Sequence, residues 1–417
     1  MRAEIITIGD ELCRGEIVNT NASWLAAALW DRQVTVTHMH SCLDDTEAMA
    51  DVVRTAAKRS DLVLLSGGLG PTSDDLTVDM LAELVGVQAE VHEPSAQNMR
   101  SRFAAAGIEL VANSERQVRA PKGARVYANS TGLAPGFEVS HSGAAVIALP
   151  GPPRELKAIF ADHLSKRISE LRLARGETLE HVARRIFRVF GKGESQIATA
   201  LEGLALGQGA SLHYQVKFPE TLVKIVVRRD SEDAANAELA SIDTEIRKRL
   251  GWLVYGTDDD SMAQVLVREL ERLGHTIATA ESCTGGMISA LLTDVSGVSK
   301  SFPGGAVTYS NDEKTRQLGV LQETLAAHGA VSEEVVLEMA QGVRERMGTD
   351  WGVSVSGIAG PGGGTEEKPV GTVWIAVAGP SGICKTKMYC WPWTRERVRG
   401  LAAHWALNLV REQLGKL

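Results

Sequence analysis

Short aliphatic runs alternate with helical segments over residues 1–160, and this alternation constrains the fold more than any other feature of the chain. Strands and helices are predicted, in chain order, at Ile5–Ile8, Ser23–Trp30, Val34–Thr37, Thr46–Arg59, Leu62–Leu65 and Ala144–Leu149. Apolar strands separated by helices favour a mostly parallel sheet with helices on both faces. We therefore expect an α/β protein whose N-terminal domain has three α/β/α layers, with ligands at the carboxyl ends of the strands.

Two further segments follow, so the 417 residues predict three domains, over residues 1–168, 169–256 and 257–417. The middle segment is a small α+β domain, with elements predicted at Ala183–Val189, Ser195–Leu201, Leu212–Val216, Leu222–Arg229 and Asp233–Leu250. A linker at Gly256–Asp260 leads to a second α/β domain, which opens with the helix Met262–Leu273 and the strand His275–Ala280.

The formal net charge of −8 and the pI of about 5.8 argue against a chain that binds nucleic acid or a membrane surface as a whole. The best candidate for a local basic patch is Arg184, Arg185, Arg188 and Lys192. Five cysteines without metal-binding spacing predict free thiols. No signal-peptide pattern and no membrane-spanning apolar run is visible, so we expect a cytoplasmic protein without membrane contact.

In the C-terminal segment, the stretch Thr279–Gly286 is predicted to close a strand and open a helix. Ser282 or Cys283 could act as a nucleophile there, because a helix N-terminus stabilises developing negative charge. Alternatively, Gly285 and Gly286 only allow the helix to pack tightly on the strand.

A lysine and a tyrosine follow in the stretch Gly305–Lys314. Lys314 could serve as a general base if desolvation or a nearby positive charge keeps its amine neutral. The alternative is a solvated lysine in the first turn of a helix. Tyr309 is either a proton relay or a half-buried core phenol.

The stretch Ser354–Gly371 contains six glycines after an apolar strand. Such a loop predicts a nest for a phosphate or an oxyanion, since a structural loop rarely needs so many glycines. Beyond it, Arg395, Arg397 and Arg399 fall on one predicted helix, where guanidinium groups could bind phosphate or simply form a solvated face.

In order and spacing, these stretches resemble the CinA C-terminal family, which includes nicotinamide-nucleotide amidases. The similarity covers residues 262–417. It implies Ser282 as nucleophile, Lys314 as base and Tyr309 as a supporting polar group. The implied substrate-binding residues are Thr284, Gly285, Gly286, Ser356, Gly357, Gly360, and Arg395 or Arg399.

The resemblance implies hydrolysis of nicotinamide mononucleotide to nicotinic acid mononucleotide and ammonia, without a cofactor. Backbone N–H groups near Gly285 or Gly357 would hold the oxyanion. Cys283 stays a second candidate nucleophile. Many relatives carry Gly-Asp where this chain has Trp393-Thr394, so the choice between the two arginines stays open.

Two acidic loops stand out near the N-terminus: Gly9–Glu11 after the first predicted strand, and Ser66–Asp75 before the predicted helix Leu76–Leu84. A strand, a glycine-rich loop and a helix N-terminus form an anion site. The carboxylates of these loops could bind a divalent cation, whereas the alternative for Asp74 and Asp75 is that they cap the helix. The four acidic residues are Asp10, Glu11, Asp74 and Asp75.

These loops, with Asn19-Thr20-Asn21, resemble the molybdopterin-binding fold that forms the N-terminal half of CinA proteins. The similarity covers residues 1–165 and implies ADP-ribose pyrophosphatase activity, with Mg²⁺, Mn²⁺ or Co²⁺ held by Asp10, Asp74 and Asp75. The implied site also contains Glu11, Asn19, Asn21, Gly67, Gly68, Gly70 and Thr72. Leu133 replaces a threonine of many relatives, a change expected to alter a ligand contact.

The middle segment resembles the KH-type module of full-length CinA proteins. Its turn Gly191–Glu194 is similar to the KH Gly-x-x-Gly loop, but the acidic Glu194 favours a structural spacer over RNA binding. The leading hypothesis is a homodimeric enzyme acting on nicotinamide mononucleotide and ADP-ribose. The alternatives are a non-enzymatic competence or DNA-damage accessory protein and a molybdopterin-binding protein.

Overall fold

The computed structural model describes residues 1–107, 109, 110 and 112–416. The chain forms two compact units, unit 1 (Met1–Val182) and unit 2 (Ala183–Leu417). Within the described residues, no helix combines the length and the apolar character needed to cross a membrane.

Unit 1 alternates strands and helices, as the sequence predicts. Its strands are β1 (Arg2–Ile8), β2 (Thr35–Cys42), β3 (Leu62–Ser66), β4 (Ala89–Val91), β5 (Arg119–Pro121), β6 (Arg125–Tyr127), β7 (Gly136–His141) and β8 (Ala144–Leu149). Its helices are α1 (Asp10–Cys13), α2 (Thr20–Trp30), α3 (Thr46–Arg59), α4 (Thr77–Leu84), α5 (Glu93–Ala106), α6 (Pro153–Ile159) and α7 (Ser165–Ala174).

The main sheet of unit 1 has the order β2-β1-β3-β8-β7-β6, and its first four strands are parallel. Alternate side chains of β1 face opposite layers: Ile6 packs with α3 and α4, whereas Ile5 packs with α2 and α6. Both faces of the sheet are therefore buried, which confirms the three-layer α/β/α prediction.

Strand β2 is longer than predicted, since it continues past Thr37 to Cys42. Its side chains are mostly polar and exposed, because β2 lies at the edge of the sheet. An exposed edge strand lacks the apolar run that marks a buried one. The next loop, which contains Asp44, consequently starts at the same sheet edge as the loop after β1.

Unit 2 contains two larger groups of elements. The first comprises β9 (His181–Val189), α8 (Glu194–Ala200), β10 (Ala210–Lys217), β11 (Glu220–Arg229), α9 (Glu232–Leu250) and β12 (Val254–Thr257). The second comprises α10 (Met262–Leu273), β13 (Ile277–Glu281), α11 (Met287–Thr293), β14 (Gly304–Val307), α12 (Asn311–Leu318), α13 (Gln322–His328), α14 (Glu333–Met347), β15 (Trp351–Gly357), β16 (Thr372–Ala378), β17 (Cys384–Cys390) and α15 (Arg395–Leu414).

Each group has its own sheet. The first sheet has the order β10-β11-β9-β12 and packs its apolar face against α8 and α9, which is the predicted α+β arrangement. The second sheet has the order β14-β13-β15-β16-β17, with β14, β13 and β15 parallel. Helices α10, α11 and α15 cover one face, and α12 and α14 cover the other, so the second group is an α/β layer structure.

Candidate functional site

The turn that carries Ser282 is held by a buried glutamate. Strand β13 ends at Glu281, and a turn over residues 282–286 separates it from α11. The carboxylate of Glu281 is fully buried and accepts hydrogen bonds from the N–H groups of Gly286, Ile288 and Ser289 at 2.8–3.0 Å. The serine therefore sits on a fixed turn between the strand and the helix, the junction at which the sequence places it.

Arg399 of α15 fixes the same turn from the other side. Its guanidinium group donates to the carbonyl oxygens of Cys283 at 3.1 Å and Thr284 at 2.8 Å. Both bonds go to the backbone, so Arg399 is a positioning residue for the serine turn.

Lys314 lies beneath this turn and contacts the serine. It occupies the fourth position of α12, and only 1% of it is exposed. Its Nζ lies 3.1 Å from the Oγ of Ser282 and 2.8 Å from the carbonyl oxygen of Thr308. Burial lowers the pKa of Lys314 to about 8. The alternative of a solvated first-turn lysine is therefore wrong.

Cys283 points into the hydrophobic core and is 5% exposed. Burial raises the pKa of its thiol to about 12. A thiol that stays protonated at neutral pH is a poor nucleophile. The environment of the two neighbouring residues thus favours the hydroxyl of Ser282.

The backbone donors around Ser282 are only partly free. The N–H of Gly285 donates to the carbonyl of Ser282 at 3.0 Å, so it is already committed. No described residue accepts a hydrogen bond from the N–H of Cys283, whereas Thr284 is fully buried and its N–H is out of reach of a ligand. Gly357 has a packing role, since a Cβ there would lie 2.7 Å from the side chain of Val373.

The predicted polar groups at the mouth of the site form a bridge between loops. The Tyr309 side chain is 62% exposed, and its hydroxyl accepts a hydrogen bond from Arg395 at 3.1 Å. Arg395 also donates to the carbonyl of Gly360 in the glycine-rich loop at 2.9 Å. The exposure of Tyr309 excludes a core phenol.

Three other candidates have different surroundings. Ser356 is buried and donates to the carbonyl of Ala330 at 2.6 Å, so its hydroxyl has a structural partner. Arg397 does not join the other arginines: its guanidinium lies over the rings of Phe218 and Trp393. Thr284 is fully buried beside Ser282, and its hydroxyl has no partner among the described residues.

In unit 1, a cavity of about 290 Å³ opens at the carboxyl ends of the parallel strands. It brings together part of the predicted site, and its lining includes Glu11, Gly67, Gly68, Gly70, Asp74 and Asp75. Asp10 is not among the lining residues, because its carboxylate binds Arg14 and accepts from the backbone N–H of Asp44.

Neither Asp74 nor Asp75 caps α4, so that alternative is wrong. Leu76 stands at the N-cap and makes no side-chain bond. The Asp75 carboxylate instead closes its own loop, accepting from the N–H groups of Gly70 at 2.7 Å and Thr72 at 2.8 Å. These two hydrogen bonds fix the conformation of the glycine-rich loop.

The predicted asparagines hold the framework of this site. Asn19 caps α2 by accepting from the N–H of Ala22 and also donates to Thr7. Asn21 donates to Ser66 and to the carbonyl of Gly151, which links α2 to the ends of β3 and β8.

The sequence analysis missed Asp44, which also lines the cavity. Burial raises the pKa of Asp44, and the negative charges of Asp10, Glu11 and Asp74 contribute in the same direction. Over the described residues, no three carboxylate, imidazole or thiol groups form a ready-made metal shell. The carboxylates of the cavity nevertheless offer the hard oxygen donors that a divalent cation prefers.

Fold and sites define a multidomain α/β protein whose parts match three family models. The models are "Probable molybdopterin binding domain" over residues 4–170, "Damage-inducible protein CinA KH domain" over residues 184–256 and "CinA C-terminal domain" over residues 259–414.

Relatives match this chain over nearly its whole length. A CinA-like protein of Anaeromyxobacter dehalogenans is 41% identical over 99% of both chains, and one of Kosmotoga olearia is 37% identical over 99% of both. The crystal structure of the competence/damage inducible protein CihA from Agrobacterium tumefaciens is 40% identical, covers 37% of this chain and 93% of its own, and has a TM-score of 0.36. Because the relatives of 41% and 37% identity match over nearly their full length, the chain belongs to the CinA family.

Proposed function

We propose that unit 2 hydrolyses the carboxamide of nicotinamide mononucleotide to nicotinic acid mononucleotide and ammonia. The observation that carries this proposal is the contact between Ser282 and the buried amine of Lys314. An amine whose pKa is lowered to about 8 is partly neutral at physiological pH and can accept the proton of a serine hydroxyl.

The reaction then has two stages. Lys314 takes the proton of Ser282 as the hydroxyl oxygen attacks the carboxamide carbon, and the N–H of Cys283 stabilises the oxyanion. The C–N bond breaks, Lys314 returns the proton to the leaving nitrogen, and ammonia departs. Water then attacks the acyl-enzyme, with Lys314 again as base, and releases the carboxylate product and the serine.

Arg395 is the better candidate for the 5′-phosphate. Its side chain is exposed, and it bridges Tyr309 and the carbonyl of Gly360 at the glycine-rich loop. Arg399 uses its guanidinium to hold the serine turn. A phosphate could therefore exchange for the neutral partners of Arg395 and form charge-assisted hydrogen bonds.

Replacement of the two adjacent candidate nucleophiles tests this mechanism. Ser282→Ala should lower kcat for ammonia release by about 10³-fold or more, because the covalent step is lost. Cys283→Ala should retain activity. Ammonia release and thermal unfolding would be measured on both variants, and the reverse pattern in correctly folded proteins would overturn the serine mechanism.

A second proposal concerns unit 1, which we infer cleaves the diphosphate of ADP-ribose with a divalent cation. Glu11, Asp44 and Asp74 would hold the cation, and the ligand's phosphate oxygens would complete its shell, as is usual for Mg²⁺. The cation would neutralise phosphate charge and activate water. Tighter binding of molybdopterin than of ADP-ribose, without cleavage, would contradict this proposal.

We further propose that both reactions take place in the cytoplasm. All five cysteines are free thiols, which suits a reducing compartment.

A further inference from the structure

A separate cavity of about 430 Å³ lies in unit 2 between the middle and the C-terminal groups of elements. It is lined by the turn Gly191–Glu194, by residues of the β10–β11 hairpin and by side chains of β17 and α15. Its volume falls in the range of small-molecule sites. Neither of the proposed reactions uses it.

Aromatic rings dominate its walls. Aromatic residues are only 5% of the chain, yet six of them line this one cavity: Phe190, Phe218, Tyr389, Trp391, Trp393 and Trp405. The rings of Tyr389 and Trp391 are stacked with centroids 4.8 Å apart, and Trp405 lies 4.7 Å from Tyr389. The rings of Tyr389, Trp391 and Trp405 thus pack against one another, whereas Trp393 is 44% exposed and offers ring surface to a planar ligand.

Polar groups are placed around these rings. Lys192 and Glu194 lie on the turn that forms one rim. Glu220, also in the lining, is already paired with Arg188.

The turn Gly191–Glu194 is not open for a nucleic-acid backbone. A Cβ at Gly191 would lie 3.1 Å from the ring of Trp405, so the turn packs against α15. A KH loop that clamps several nucleotides needs this face free. This packing favours a single small molecule over a nucleic-acid strand as an occupant of the cavity.

We propose that this cavity binds a mononucleotide, whose base stacks on the tryptophan rings and whose phosphate pairs with Lys192. Glu194 suits the ribose hydroxyls, since a carboxylate accepts hydrogen bonds from a diol. Planar aromatic walls, one cation and one carboxylate match the three parts of such a ligand.

Side-chain indole N–H signals of the full-length protein, labelled with ¹⁵N, locate the ligand directly, because each of the eight tryptophans gives one signal. AMP is the probe, titrated to about 5 mM, above the dissociation constant of a specific site. We expect the signals of Trp391, Trp393 and Trp405 to shift with one common dissociation constant. Ribose 5-phosphate, which lacks a base, should not shift them. Shifts confined to Trp24 and Trp30 of unit 1, or no shifts, would overturn the proposal.

Variants then test the contacts. Trp393→Ala and Lys192→Ala should each weaken AMP binding by about fivefold or more, because stacking and phosphate pairing are lost. Trp393→Phe keeps a ring and should stay within about twofold. Trp30→Ala, an equally exposed tryptophan of unit 1, is the matched control. Unchanged AMP binding in folded Trp393→Ala and Lys192→Ala proteins would contradict the proposed contacts.

Discussion

In unit 2 the candidate nucleophile and its base touch each other below the surface, whereas in unit 1 acidic side chains line a cavity without forming a shell. The first site obtains its chemistry from burial, since desolvation alone lowers the pKa of Lys314 to about 8. The second site brings carboxylates together, and the charges of Asp10, Glu11 and Asp74 add to the burial that raises the pKa of Asp44. The comparison teaches that one chain can set the protonation of its polar groups by excluding water in one place and by collecting like charges in another.

The largest expected effect tests the buried pair. Lys314→Met keeps the length and apolar stem of the side chain but removes the amine. We expect kcat for nicotinamide mononucleotide to fall by about 10³-fold or more, while ADP-ribose cleavage is unchanged. Ammonia release and AMP formation would be measured on the same preparation. Activity within about tenfold of the wild type would show that Lys314 is not the base.

Chelation tests the other half of the comparison. EDTA should lower ADP-ribose cleavage by about 100-fold or more, because cation stabilisation of phosphate charge supplies several kcal/mol. Deamidation should stay within about twofold, since the serine–lysine pair needs no ion. Readdition of Mg²⁺ or Mn²⁺ provides the control. Equal loss of both activities would remove the distinction between the sites.

The arginines of α15 sharpen the comparison within unit 2. Arg395→Ala should raise KM by about 10- to 100-fold with little change in kcat, because charge-assisted bonds to the phosphate are lost. Arg399→Ala should mainly lower kcat, since the serine turn loses two backbone contacts. Arg397→Ala is the matched control on the same helix. If Arg395→Ala lowered kcat and Arg399→Ala did not, Arg395 rather than Arg399 would be the residue that positions the serine turn.

The smallest expected effect is the pH dependence. With a pKa of about 8, Lys314 is mostly protonated at pH 7 and half neutral at pH 8. The base must be neutral, so kcat for deamidation should rise with pH, by about fivefold between pH 7 and 8, and level off above pH 9. A kcat that is flat or falls over this range would contradict the assigned base.

The sequence predicted the layered architecture of both α/β regions and the pairing of Ser282 with Lys314, the latter through a resemblance. It could not predict the burial of Lys314, which depends on how α12 packs against α14 and β13. A lysine after two acidic residues in a first turn has the pattern of a solvated helix start.

Asp44 was missed for a related reason. The exposed edge strand β2 does not carry an apolar pattern, so its end was placed too early and the loop behind it was not aligned with the other acidic loops. Asp75 follows a glycine-rich loop and has the pattern of a cap, but its carboxylate binds the loop itself. A local sequence pattern does not show whether such a carboxylate accepts hydrogen bonds from the N-terminus of the helix or from the loop before it.

Arg399 has a consequence for biosynthesis. The carbonyl groups that it holds belong to residues more than 100 positions earlier in the chain, and it lies on α15, the last helix that the structure describes. While a ribosome is still translating the preceding residues, the turn that carries Ser282 lacks this support. Nascent or prematurely terminated chains that end before this helix should accordingly lack the deamidation proposed above.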